Sequence, residues 1–144
     1  MMYADFSLLP YNTFQVPARA EHFVAVKTPL ELDALDLDKA PALLLGGGSN
    51  LLLLDEVPGL TVHLALQGLT LLPQTPEGGG VLLRAAAGLN WHQFVLYTLQ
   101  KGWDGLENLA LIPGTVGGAP VQNIGAYGLE VAERIHAVHA YEYG

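Results

Sequence analysis

The stretch from Asn108 to Gly128 constrains this chain more than any other. Pro113, Gly114, Gly117, Gly118, Pro120, Gly125 and Gly128 argue against a long helix. Leu109, Leu111, Ile112, Val116, Val121 and Ile124 argue against a solvent loop. An apolar, irregular segment must still satisfy its backbone polar groups. Long connections without secondary structure are usually functional or disordered, and this one is too hydrophobic for disorder. One reading is a buried irregular connection. The other, which we favour, is a seat for a flat polar ligand, where small residues approach a ring and N–H groups meet its heteroatoms. On that reading Ile112 to Tyr127 cannot satisfy its backbone by itself and becomes ordered around the ligand or further protein.

The rest of the composition narrows the class. The chain has 144 residues, enough for one ordinary domain; 51% are hydrophobic and 14% charged. Six Lys and Arg stand against fourteen Asp and Glu, a net charge of -8. With no basic cluster, nucleic acid and anionic membrane are poor partners. No cysteine is present, which removes disulfides, thiolate catalysis, iron–sulfur clusters and Cys-type zinc sites. No apolar run reaches transmembrane length. Met1 to Pro10 carries Asp5 and no basic residue, unlike a signal peptide, so the expected compartment is the cytoplasm.

Along the chain, Phe23-Val24-Ala25-Val26 reads as a strand. Thr28-Pro29-Leu30-Glu31 reads as a capped helix start, followed by Leu30, Ala34 and Leu37 at helical spacing and ended by Pro41. Ala42 to Leu45 and Leu60 to Leu66 read as strands, with Leu51 to Leu54 resuming the apolar pattern. Together they suggest a parallel βαβ unit. Leu69 to Leu72 and Val81 to Ala86 read as strands joined by a turn over Pro76 to Gly80. Asn90 caps a helix whose buried face is Trp91, Phe94, Val95, Thr98 and Leu99, and Gly102 ends it. Leu106 to Gly128 is read as loop, and Ile135 to Tyr141 as a last strand.

The first glycine run in chain order, Gly46-Gly47-Gly48-Ser49-Asn50, breaks the apolar strand that ends at Leu45, and the Asn108–Gly128 stretch is the second. Glycine admits positive φ and lets a ligand approach bare N–H groups, and a nest of such groups binds phosphate without cationic side chains. A dinucleotide fingerprint or a nucleophile elbow would need Gly where Leu51 stands, and the run has no Lys for a Walker loop. The alternative is a plain turn between strands. Other candidates are weaker. His136 and His139 would point to opposite faces of a strand, and His22, His63 and His92 are isolated. Asp33, Asp36 and Asp38 read as a solvated helix end, and no metal site is expected. Ser7 and Ser49 are the only serines, and neither is poised beside a His for acyl transfer.

Together the two runs resemble one family, the UDP-N-acetylenolpyruvoylglucosamine reductases, flavoenzymes of peptidoglycan precursor synthesis. The residues carrying the resemblance are Asn12-Thr13-Phe14, Leu45 to Asn50, Gly88-Leu89-Asn90-Trp91, Gly105-Leu106-Glu107-Asn108, Ile112 to Gly118 and Gln122 to Gly128. The resemblance implies an α+β, FAD-binding fold of the vanillyl-alcohol-oxidase/PCMH type in two α+β subdomains. Here these would be residues 1–66, which are βαβ-like, and residues 67–144, which are incomplete.

It further implies that Gly46, Gly47, Gly48, Ser49 and Asn50 hold the FAD pyrophosphate. Ile112, Pro113, Gly114, Thr115, Gly117, Gly118, Val121, Asn123, Ile124 and Gly125 would lie against the pyrophosphate and isoalloxazine ring. Ile112, Val121 and Ile124 would give an apolar wall there. The first run has Asn50 and no His, so FAD would be noncovalent. The implied chemistry is hydride transfer from NADPH to flavin, then to the enolpyruvyl double bond, with an enzyme acid protonating the neighbouring carbon to give UDP-N-acetylmuramate. The expected partner is a UDP-sugar substrate, and the chain is expected to be monomeric. The family's Ser acid, Arg and Glu come from later sequence, together with its substrate-binding domain. The chain is therefore expected to be an N-terminal portion that carries most of the FAD site and no catalytic residue. A noncatalytic FAD- or nucleotide-binding module is the alternative.

Overall fold

Two antiparallel strands open the chain: β1 (Met2–Ser7) runs against β2 (Arg19–Val26), with Met2 opposite Val24 and Ser7 opposite Arg19. The computed structural model describes residues 1–35, 41–73, 77 and 79–142. The chain divides into two units, Met1–Leu66 with His139–Gly144, and Gln67–Val138.

In the first unit, Thr28 caps α1 (Pro29–Asp33), its hydroxyl accepting from the Glu31 N–H at 3.2 Å. The Glu31 carboxylate reaches back to the Lys27 N–H at 2.6 Å, one residue before the cap. The expected helical position Leu37 lies outside the described residues. Strands β3 (Leu43–Leu45) and β4 (Glu56–Leu64) follow. Both β2 and β3 pair parallel with β4, giving the order β1-β2-β4-β3. The expected βαβ pattern is present, with β4 inserted between its two strands. Its apolar runs follow from burial on both faces. Phe23 and Leu45 pack with Leu8, Ala18, Ala20 and Leu53 on one side. Val24, Val26 and Val62 pack on the other, against Leu32 of α1 and Leu35 just after it. Leu51 to Leu54 forms no strand: Leu53 is buried while Leu52 and Leu54 stand exposed.

In the second unit, β5 (Leu69–Leu71) and β6 (Leu83–Ala85) form an antiparallel pair. Of the turn expected between them, Pro76 and Gly78 lie outside the described residues. Helix α2 (Trp91–Gln100) is capped by Asn90, whose side chain accepts from the Gln93 N–H at 3.0 Å. It ends at Gly102 with φ of 72°. There Gly102 donates to Leu99 O at 2.9 Å and Trp103 to Thr98 O at 3.0 Å, the paired bonds of a Schellman motif. Trp91, Val95 and Thr98 are buried, but Leu99 is exposed, so the buried face is narrower than expected.

The stretch read as loop contains structure. A 3-10 turn spans Glu107–Leu109, and α3 (Gly118–Gln122) follows. Then β7 (Gly125–Ala126) pairs with β8 (Leu129–Glu130), and a second 3-10 turn covers Val131–Arg134. Trp91, Val95, Leu109, Ala119, Leu129 and Val131 form the core of this unit. The strand expected over Ile135 to Tyr141 does not form.

Candidate functional site

The first glycine run turns where β3 ends. Leu45 is fully buried, and the chain then bends through Gly46–Asn50. Gly48 is buried at φ of 63°, and a Cβ there would lie 1.9 Å from Tyr11 O. Only glycine fits that approach. The turn is held from below by the loop after β1. Gly48 O accepts from the Thr13 N–H at 3.0 Å. Asn12 is buried and knots that loop: its Nδ2 donates to Leu8 O at 2.8 Å and to Val16 O at 3.0 Å. Its Oδ1 accepts from the Val16 N–H at 2.9 Å. Asn12-Thr13-Phe14 is thus a support for the turn, a role its spacing in the sequence does not reveal. Among the described residues, the amides of Gly47, Gly48, Ser49 and Asn50 have no hydrogen-bond acceptor. Clustered free N–H groups on a fixed turn are the donor set for a phosphate.

The second run lies against the residues entering α2. Val116 donates to Leu89 O and Gly117 to Ala87 O, both at 2.9 Å. A Cβ on Gly117 would come within 2.7 Å of the Ala87 Cβ, so glycine is required for this contact. Ala119 donates to Thr115 O at 3.1 Å, Ile124 to Ala119 O at 3.2 Å and Val131 to Ile124 O at 2.8 Å. Much of this segment therefore satisfies its own backbone, contrary to the expectation from its irregular sequence. Asn123 holds a left-handed φ of 43° at the end of α3. Its side chain donates to Glu130 Oε2 at 2.8 Å and accepts from the Ala132 N–H at 3.2 Å. Gly125 sits in β7, where a Cβ would be 3.0 Å from Leu129 O. Asn123, Gly117 and Gly125 thus have structural duties. Gly118 begins α3, and Pro113 is exposed ahead of it.

Ile112, Gly114 and Thr115 are different. Their amides have no acceptor among the described residues. The apolar residues also divide. Ile112 and Ile124 pack at the edge of the unit's core, whereas Val121 is 84% exposed. Leu111 and Tyr127, which were not among the expected site residues, are 78% and 89% exposed. Both hold positive φ, 65° for Leu111 and 52° for Tyr127. Tyr127 and Gly128, at φ of 78°, are the two central residues of the β7–β8 hairpin, whose turn needs positive φ at both; Leu111 lies in no such hairpin. No sequence rule flags a left-handed Leu111.

The expected site residues thus fall in separate units, Gly46–Asn50 in the first and Ile112–Gly125 in the second. Nearby, Glu107 serves structure. Its own amide first, then that of Gly105 at 2.6 Å, hold its carboxyl below the usual carboxylate range. Among the described residues, no helix is long and apolar enough to cross a membrane.

Residues 31–142 match the family described as FAD binding domain. Over 136 residues the chain is 49% identical to the UDP-N-acetylenolpyruvoylglucosamine reductase of Dechloromonas aromatica, covering 94% of this chain and 40% of that protein. It is 53% identical to the reductase of that name from Chromobacterium violaceum, covering 92% of this chain and 39% of that protein. The crystal structure of UDP-N-acetylenolpyruvylglucosamine reductase from Thermus caldophilus superposes with a TM-score of 0.64 at 29% identity. That likeness covers 92% of this chain and 45% of the Thermus chain. The chain therefore spans about two fifths of the length of the curated relatives it matches.

Proposed function

The chain belongs to the family of FAD-binding domains, and from that premise we propose that it is the FAD-holding part of a UDP-N-acetylenolpyruvoylglucosamine reductase. The observation that carries this reading is the identity of 49% or more with two such reductases over more than nine tenths of the chain. The free amides of the two glycine turns support it, because their donors suit a dinucleotide in a chain with only six Lys and Arg.

In this reading the amides of Gly47, Gly48, Ser49 and Asn50 hold the FAD pyrophosphate. Those of Ile112, Gly114 and Thr115 meet the flavin end, and the exposed Leu111 and Val121 side chains shield it from water. When bound, FAD supplies hydride transfer. NADPH is the proposed reductant, the UDP-sugar the substrate and UDP-N-acetylmuramate the product. The proposed place is cytoplasmic synthesis of cell-wall precursor, by a monomer that engages neither nucleic acid nor membrane. The chain's own residues bind and orient. This reading assigns the Ser, Arg and Glu of the acid chemistry to no residue described above, and the chain by itself is proposed to bind FAD without turning substrate over.

FAD uptake is the test. Purified chain incubated with FAD and passed through gel filtration is expected to keep stoichiometric flavin absorbance. Colourless protein that is folded by circular dichroism overturns the proposal.

A further inference from the structure

Leu111 holds a left-handed backbone at φ of 65° with its side chain exposed, so its own packing does not fix it there. For a residue with a Cβ this conformation is unfavourable and must be held from outside. Among the described residues, one hydrogen bond reaches Leu111: its N–H donates to His92 Nδ1 at 3.2 Å. His92 is the second residue of α2, on a helix whose position is set by the buried Trp91.

Trp91 holds the segment on both sides of Leu111. Its indole Nε1–H donates to Leu109 O at 2.8 Å, and its backbone N–H donates to Gly114 O at 3.1 Å. The start of α2 thus grips Leu109, Leu111 and Gly114 in turn. Of the three bonds, the one to His92 fixes the strained residue. Directly after Leu111 come Ile112, Gly114 and Thr115, whose amides have no acceptor.

The geometry points to His92 as a positioning residue for FAD: its Nδ1 lone pair holds Leu111 left-handed and so aims the amides that follow at the cofactor. This rests on the proposed FAD site and adds a residue that touches no ligand. It requires a neutral ring carrying its proton on Nε2, since Nδ1 must accept. A side chain of similar shape with an acceptor at the Nδ1 position should serve, and one without should not.

The test compares His92→Asn, which offers Oδ1 near that position, with His92→Leu, which offers nothing. FAD affinity is read by quenching of flavin fluorescence, and Leu111 amide exchange is read in the FAD-free chain. H92L is expected to bind FAD about tenfold more weakly, the worth of one hydrogen bond. Its Leu111 amide should exchange faster, while its thermal midpoint without FAD stays near that of the wild type. H92N is expected to recover most of the affinity and the protection. Equal FAD affinity in H92L and the wild type overturns the inference and leaves the FAD site standing. Equal losses in H92L and H92N, with lowered thermal midpoints, also overturn it, since His92 would then serve packing alone. Wild-type chain that takes up no FAD overturns the underlying FAD site and this inference with it.

Discussion

Thr61 and His63 stand two apart on β4 and so face the same side of the sheet, Thr61 opposite Phe23 and Leu43, His63 opposite Ala25 and Leu45. The Thr61 hydroxyl and His63 Nδ1 are buried without a hydrogen-bond partner among the described residues. An unmet buried polar group costs about 1–3 kcal/mol, so removing it at constant shape should help folding. Thr61→Val is therefore expected to raise the unfolding free energy in urea by about 1 kcal/mol. A comparable loss would show that the hydroxyl has a partner in solution. His63 rests against Tyr11, with ring centroids 5.0 Å apart, and burial pushes its imidazole below the ordinary value of 6.5. Below that value the unfolded chain takes up a proton that the folded chain resists. Stability is thus full above pH 6.5 and falls as pH drops from there toward the lower folded value. Urea midpoints measured from neutral pH downward should decline over this window. The slope should flatten in His63→Leu, and an unchanged slope would assign it to other groups.

Each glycine turn is tied to an element by a contact that a side chain would break. At Gly48 a Cβ would meet Tyr11 O at 1.9 Å on a backbone of φ 63°. Gly48→Ala is expected to cost about 2–5 kcal/mol, the left-handed penalty plus overpacking. The loss should appear without FAD, so lowered flavin content in that variant would report folding rather than contact with phosphate. Gly117→Ala meets the Ala87 Cβ at 2.7 Å. It should lower the thermal midpoint, and adding Ala87→Gly should recover part of the loss; strictly additive losses would remove this contact from the explanation. The elements themselves differ in how far the sequence announces them. Thr28, Asn90 and Gly102 announce helix ends because capping is local chemistry. Helix α3 was hidden by Gly118 and Pro120, yet Pro120 falls in its first turn, where N–H groups lack intrahelical partners anyway. Ile135 to Tyr141 has strand-like composition but pairs with no strand among the described residues, and pairing is not a property of a single segment. Of the candidate site, the glycine positions were legible, because close backbone approach demands glycine. The outward Val121 and left-handed Leu111 were not, since only the folded turn decides where they point.

Across the whole molecule, the separation of satisfied from free amides sets what FAD can change. Val116, Gly117, Ala119, Ile124 and Val131 donate to acceptors within their own unit, so their protection does not depend on a ligand. Gly47, Gly48, Ser49 and Asn50 in the first unit have no acceptor among the described residues, nor do Ile112, Gly114 and Thr115 in the second. Hydrogen exchange reads this division directly. In the FAD-free chain, Val116 to Val131 is expected to show protection approaching that of α2, whose ladder and Schellman end make it an internal reference. The amides of Gly47 to Asn50 and of Ile112, Gly114 and Thr115 should exchange fast. With FAD at a hundredfold excess over its dissociation constant, ligation adds about 2.7 kcal/mol to global stability and slows all globally exchanging amides alike. Contact with FAD should slow the two free sets by much more than that common factor. Slowing confined to one set would limit FAD contact to that unit, and the residues of the other would lose their assigned role. If neither set slows beyond the common factor while FAD demonstrably binds, both turns are self-supporting structure, and the cofactor sits on other residues.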